Sequence, residues 1–211
     1  MKVTAINGSP HKEGNTYHAL KVVGTVLEAN GIEFEILHIG NKIIQGCRAC
    51  GTCSKNKDEE CGIKNDPVNE GVQKMKDSDG IIIASPVHYS GIGGTMKSFL
   101  DRAFYVAGAN GGLFRNKVGA SITAVRRTGG SMTFAALNQY LMYSEMVIPS
   151  SNYWNVIHGR LPEEVLKDDE GVQILEVLGN RMAWLIKSLA ATSESIPPPQ
   201  PVKKVMTNFV R

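Results

Sequence analysis

The four cysteines of this 211-residue chain, Cys47, Cys50, Cys53 and Cys61, fall within 15 residues. In a reducing compartment, thiols crowded in this way serve as metal ligands or in redox chemistry rather than as structural disulfides. Their spacing is Cys47-x2-Cys50-x2-Cys53-x7-Cys61. Three cysteines at three-residue steps let a tight loop wrap thiolates around one cubic cluster, and the fourth closes the tetrahedron from a short excursion. The pattern therefore favours a [4Fe–4S] centre. It is not the two-cluster ferredoxin run, whose last spacing is three and is followed by proline. Zinc is the rival metal, although structural zinc sites present two C-x2-C pairs separated by a longer loop. Unliganded thiols are the third alternative. Residues 54–60, SKNKDEE, read as a solvated loop that could also dock a redox partner.

A second stretch could bind an anion. Asn7-Gly8-Ser9-Pro10-His11-Lys12-Glu13-Gly14-Asn15-Thr16 joins a β-rich run to a helical one. Small and hydroxylated residues there let N–H groups and hydroxyls converge at a helix start, where the dipole and free amides attract negative charge. No Lys-Ser/Thr pair follows the glycine, so this is not a Walker A loop. G-x-G-x-x-G is missing, and the second strand ends in His38 rather than an acid, which excludes a dinucleotide fingerprint. A site for a terminal phosphate monoester and a plain helix-capping turn are the two readings left. Serine hydrolase chemistry lacks its G-x-S-x-G elbow. Of the five histidines, only His11 and His88 fall in such loops; His18, His38 and His158 read as structural.

The elements that must position these residues alternate. Lys2–Asn7, Glu33–Ile39, Gly80–Ser85, Val118–Val125 and Met146–Ile148 read as strands, and GIIIAS has the continuous apolar run of a strand buried on both faces. Thr16–Ala29, Thr95–Tyr105, Ser131–Tyr143 and a long stretch from Glu163 to Leu189 carry apolar residues at helical steps. Such a β-α-β-α order predicts an α/β, doubly wound, five-stranded parallel sheet of flavodoxin-like order 2-1-3-4-5. Residues 1–192 form one domain in this reading, with residues 45–66 as a cysteine-rich insertion. Residues 193–211, with four prolines, form an extended C-terminal arm.

Composition narrows the function classes. A hydrophobic share of 42%, a charged share of 20% and a net charge of +3 describe an ordinary globular protein. Basic residues are scattered, so no nucleic-acid stripe exists. No apolar run approaches the roughly 18 residues of a membrane span, and MKVTAINGSP is not a signal peptide. The expectation is a cytoplasmic protein that binds neither nucleic acid nor membrane.

Three motifs together resemble the NADPH-dependent FMN reductase and iron–sulfur flavoprotein group. Ser9-Pro10-His11…Gly14-Asn15-Thr16 is similar to its phosphate loop. Ser85-Pro86-Val87-His88-Tyr89 with Lys97-Ser98-Phe99-Leu100-Asp101-Arg102 resembles its S-P-x-Y…K-x-F-x-D-R block. Arg126-Arg127-Thr128-Gly129-Gly130 resembles its third loop, usually R-N-G-G-Q, from which Arg127, Thr128 and Ser131 depart. The resemblance spans about residues 1–150 and implies FMN bound by Ser9, His11, Gly14, Asn15 and Thr16 at the phosphate. Pro86, Val87, His88 and Tyr89, with Arg126, Arg127, Thr128, Gly129 and Gly130, would border the ring. The cysteine motif resembles that of iron–sulfur flavoproteins, with Cys47, Cys50, Cys53 and Cys61 as ligands of one [4Fe–4S] cluster. Asp101 and Arg102 are expected to tie their helix to the fold rather than do chemistry.

The function expected from that likeness is transfer of electrons from a one-electron donor such as ferredoxin to a two-electron, small-molecule acceptor. A homo-oligomer, dimer or tetramer, is implied as well, in which a cluster approaches the FMN of another subunit. Two alternatives stand beside it: a cluster-free NAD(P)H-dependent FMN or quinone reductase, and a non-enzymatic flavin- or zinc-binding interaction module.

Overall fold

A computed structural model describes residues 1–207 and 209. Its parallel sheet is formed by β1 (Lys2–Asn7), β2 (Glu33–His38), β3 (Gly80–His88), β5 (Val118–Val125) and β6 (Val156–His158), in the order β2-β1-β3-β5-β6. β4 (Gly91–Ile92) is a two-residue strand that pairs antiparallel with Val87 and His88 at the end of β3. With that hairpin set aside, the order is the expected flavodoxin-like one.

Side-chain alternation on the central strand explains the two layers. Ile81 and Ile83 face one side of β3, and Ile82 and Ala84 face the other; all four are fully buried. Ile82, with Val3, Ala5 and Ile122, packs under α1 (Asn15–Ala29) and α6 (Asp169–Thr192) through Leu20, Val23, Leu175 and Met182. Ile81 and Ile83, with Ile6, pack under α3 (Val68–Lys76), α4 (Gly94–Ala109) and α5 (Gly130–Tyr143) through Val72, Phe99, Leu100 and Leu137. Each such burial contributes about 1.5–3 kcal/mol. α2 (Thr52–Asn56) is a single short helix inside the cysteine tract.

Three expectations are corrected. The fifth strand is Val156–His158, paired with Thr123–Val125, and not Met146–Ile148. Val147 makes only an isolated bridge to Val118; Pro149, which has no N–H to give a ladder, follows two residues later. The buried Asn155 returns the chain to the sheet, its amide donating to the Ser121 carbonyl at 3.1 Å. The long helix does not run unbroken from Glu163: a 3-10 turn at Glu164–Lys167 ends at Asp168, whose carboxylate accepts the Gly171 N–H at 3.0 Å and starts α6 afresh. Finally, α3 lies directly after the cysteines, with Val68, Val72 and Met75 buried at helical steps. Residues 197–207 and 209 form neither helix nor strand, and Lys204 Nζ sits 2.9 Å from the Tyr143 hydroxyl.

Candidate functional site

The loops that follow β1, β3 and β5 emerge at one edge because these strands are parallel neighbours. Between them lies a cleft of about 480 Å³, a volume suited to a small organic ligand. Ser9, His11, Gly14, Asn15 and Thr16 line one end, and Pro86, Val87 and Arg126 line the side formed by the second and third loops.

The first loop is shaped by its own polar groups. The Ser9 N–H donates to Asn7 Oδ1 at 3.0 Å, the His11 N–H to Ser9 Oγ at 3.2 Å, and Asn7 Nδ2 to the Lys12 carbonyl at 3.1 Å. His38 Nε2 donates to the Ser9 carbonyl at 2.8 Å from the end of β2. Gly40 packs so tightly on the Ser9 backbone that no Cβ fits there.

What this loop leaves unsatisfied defines its ligand. No side chain caps the start of α1, where Gly14 holds the capping position. The Thr16 hydroxyl is buried with no partner. A Cβ on Gly14 would lie 3.0 Å from His11 Cβ and 3.5 Å from Ser9 Oγ, filling the cradle. Free donors at a helix N-terminus, beside the guanidinium of Arg126, fit a phosphate monoester.

A fourth wall, absent from the sequence reading, closes the cleft: Gly159, Arg160, Leu161 and Pro162, directly after β6. Glu164 folds it back by accepting the N–H groups of Arg160 and Leu161, both at 2.8 Å. Those amides, Leu161 first, hold the Glu164 carboxyl below its usual range. The signal was a Gly-Arg-Leu-Pro stretch after a short apolar run, hidden because the last strand was expected earlier.

The cysteines form a separate site. Cys47, Cys50, Cys53 and Cys61 all line one pocket of about 20 Å³, with Arg102, Tyr105 and Val106 of α4 opposite. Cys53 and Cys61 are buried, and Cys47 and Cys50 lie exposed at the rim. Among the described residues, no three Cys, His, Asp or Glu side chains converge closely enough to hold a single metal ion. The loop reaches this shape through left-handed backbone at Ala49, Gly51, Lys57 and Glu59. For a residue with a Cβ each such turn costs about 1–2 kcal/mol. Asn69 of α3 fixes Cys61 by accepting its N–H at 2.8 Å and donating to its carbonyl at 3.1 Å. The Thr52 hydroxyl, 3.3 Å from Cys50 Sγ, draws that thiol's pKa down, whereas burial pushes the Cys53 thiol up.

Residues 1–160 match the NADPH-dependent FMN reductase family. An iron–sulfur flavoprotein of Methanocaldococcus jannaschii is 31% identical over 89% of this chain and 98% of its own length. The chain belongs to the iron–sulfur flavoprotein family. Two solved structures share the fold: RosB with a bound flavin phosphate intermediate, at TM-score 0.69 and 14% identity over 100% of this chain and 94% of that one, and an archaeal flavodoxin, at TM-score 0.57 and 15% identity over 89% and 99%. Family and fold together make this an FMN-dependent redox protein. Among the described residues, no helix is long and apolar enough to cross a membrane.

In this iron–sulfur flavoprotein the expected residues divide. Ser9, His11, Gly14, Asn15, Thr16, Pro86, Val87 and Arg126 line the cleft. His88, Tyr89, Arg127 and Thr128 are exposed outside that lining. Tyr89 stands at the turn of the β3–β4 hairpin with left-handed backbone. Gly129, left-handed with φ 90°, precedes α5, and Gly130 packs against Val156 with no room for a Cβ. These two glycines set the third loop's path. Asp101 accepts the Tyr140 hydroxyl at 2.5 Å and pairs with Lys97 at 2.6 Å, joining α4 to α5. Burial first, and then that bond to Asp101, push the Tyr140 hydroxyl up to about 12.

Proposed function

We propose that this iron–sulfur flavoprotein holds FMN in the cleft and one [4Fe–4S] cluster on Cys47, Cys50, Cys53 and Cys61. It would pass electrons from a one-electron donor such as ferredoxin to a two-electron, small-molecule acceptor. The observation that carries this reading is the convergence of all four thiols on one pocket. With the three-residue steps between Cys47, Cys50 and Cys53, it suits a polynuclear centre, which takes one thiolate at each of its irons, better than the paired C-x2-C pattern of structural zinc.

The bound groups would supply one-electron exchange at the cluster and one- or two-electron storage at the flavin. The chain supplies the rest. The Thr16 hydroxyl and the first-turn amides of α1 receive the phosphate, and Arg126 and Arg160 add positive charge. Pro86 and Val87, continuing β3, give the ring a rigid apolar border, and the wall from Gly159 to Pro162 keeps water from the other side. His88, Tyr89, Arg127 and Thr128 would border the open mouth, where the acceptor enters, and Gly129 and Gly130 would set the path of the loop that carries Arg127 and Thr128. The two exposed thiols, Cys47 and Cys50, put the cluster at the surface for a donor.

α4 joins the sites. It begins at Gly94 by the flavin loops and reaches the cysteine pocket at Arg102 and Tyr105, some 12–17 Å further along a helix axis at about 1.5 Å per residue. Assembly as a homodimer or homotetramer, in which a neighbour's cluster approaches the flavin, would shorten that path. Cytoplasmic residence suits the free thiols.

The test is anaerobic purification, with the absorption spectrum, iron, acid-labile sulfide and FMN assayed on one sample. About four irons and one FMN per chain are expected. FMN without iron or sulfide overturns the cluster and favours the second reading, an NAD(P)H-dependent reductase, to which the family match points. Direct oxidation of NADPH by the iron-free protein would establish that reading.

A further inference from the structure

Arg102 is the largest fully buried side chain among the described residues, and it lies at the cysteine pocket rather than in a structural ion-pair network of the sheet. Its guanidinium spends four donors on one loop: Nε to Cys61 Sγ at 3.3 Å, Nη1 to the Gln45 carbonyl at 3.2 Å and to the Asp66 carboxylate, and Nη2 to the Ile63 carbonyl at 3.0 Å. Gln45 precedes the first cysteine and Ile63 and Asp66 follow the last, so one side chain ties both ends of the loop together. Asp66 is itself almost wholly buried, with 3% of its side chain exposed.

Anchoring α4 explains the carboxylate and the two carbonyls but not the thiol. An arginine that served only to anchor α4 would be met by a carboxylate and needs no sulfur. Burying a guanidinium costs several kcal/mol unless its donors and charge are matched. Here one carboxylate, two carbonyls and a thiol match it, and the thiol is one of the four that line the pocket. A cluster held by four thiolates is an anion, and each electron it accepts makes it more negative. Its potential responds to nearby charge and to hydrogen bonds on its sulfurs, and Arg102 delivers both through a single group.

We propose that Arg102 is the positioning residue of the cluster site, with two effects that rest on the cluster reading above. It holds the loop closed around the centre, and it raises the centre's reduction potential through its charge and its N–H···S bond. Asp66 opposes the second effect: its buried carboxylate cancels part of the positive charge, so the pair sets the potential between two extremes. No proton moves in this scheme, since the guanidinium stays charged in both redox states.

Three variants of the full chain test this under anaerobic conditions: Arg102→Gln, Arg102→Lys and Asp66→Asn. The readouts are iron and sulfide per chain, the midpoint potential by titration followed spectroscopically, and the rate of iron removal by a chelator. FMN per chain reports folding, because the flavin cleft shares no lining residue with the cysteine pocket. Arg102→Gln is expected to lower the potential and to lose iron about tenfold faster, as fits removal of a charge-assisted hydrogen bond. Arg102→Lys keeps the charge without the fork and is expected to lie nearer the unmodified potential than Arg102→Gln. Asp66→Asn is expected to move the potential the other way, upward. A simple loosening of the loop gives shifts of one sign in all three. If Arg102→Gln does not retain FMN, the opposite displacement of Asp66→Asn decides the matter. Full iron with unchanged potentials, or shifts of one sign throughout, overturns the role of Arg102 alone. An unmodified protein without iron overturns the cluster reading and this inference with it.

Discussion

The two sites of this protein are held in different ways. The cleft proposed for the flavin is built at the ends of neighbouring parallel strands, from short loops whose polar groups satisfy one another. Its shape follows from the sheet. The cysteine pocket has no such frame. Its loop carries four left-handed residues between Ala49 and Glu59, contains one short helix, and is gathered from outside by Arg102 and Asn69. A site inherited from a fold tolerates change at its rim and fails where backbones touch. A site added as an insertion depends on the few side chains that clamp it.

The sharpest break of this contrast is Cys61→Ser, which should reduce iron from about four per chain to below one while FMN content stays as it is. Loss of both cofactors together would show that the two sites are one cooperative unit. Next comes Gly40→Ala, whose added methyl meets the Ser9 backbone. Forced backbone movement at a packed position costs about 1–3 kcal/mol, so thermal stability and FMN affinity should fall together, with iron unchanged. Thr16→Val removes the unpartnered hydroxyl while keeping the side chain's shape. Fluorescence titration should give FMN binding about tenfold weaker, with a melting temperature equal to or above that of the parent.

A smaller effect is expected at Asp168, which caps α6 and accepts the His158 N–H beside the fourth wall of the cleft. Burial alone would raise its pKa, but the Gly171 and His158 N–H groups outweigh that and hold it below its ordinary value. A depressed carboxyl contributes stability that is fully present above the unfolded-state pKa and is lost as pH falls through the folded one. Asp168→Asn keeps an accepting oxygen but loses the charge at the helix start, so it should lower stability by about 0.3–1 kcal/mol near neutrality, and the difference from the parent should vanish in acid, below the ordinary carboxylate range. The smallest effect belongs to Arg127→Ala. Its side chain is exposed outside the cleft lining, so FMN affinity should change by less than about twofold, as for surface changes generally.

Much of the fold was legible because periodicity carries it. GIIIAS announced a strand buried on both faces, and it is the sheet's centre. The first loop was readable as a turn from strand to helix, since glycine and hydroxyl residues between two periodic runs mark one. The misreadings share one cause: local pattern competed with tertiary context. Met146–Ile148 has strand composition, yet Pro149 turns the chain away and Val156–His158 takes the sheet edge. α3 carried a helical pattern at Val68, Val72 and Met75 that the neighbouring cysteines overshadowed. Arg102 does tie its helix to the fold, through Asp66 and the Gln45 and Ile63 carbonyls, but nothing in its surroundings in sequence reveals the thiol 41 residues away. Gly40 and the Gly159–Pro162 wall were silent likewise, because close approach between distant backbones leaves no periodic trace.

The separation between Cys61 and Arg102 has a consequence for the newborn chain. Every cysteine leaves the ribosome before the residue that gathers the loop, by 41 residues at the least, or about 2–8 s at ordinary elongation rates. During that interval the thiols are present without their clamp. β2 and β3, which flank the insertion, are not neighbours in the sheet but sit on either side of β1, so the chain through His88 must be made before the frame exists. On the proposed cluster reading, loading would then fall late in biogenesis, after α4 has docked, and a loading factor would meet a nearly finished domain rather than a nascent cysteine loop.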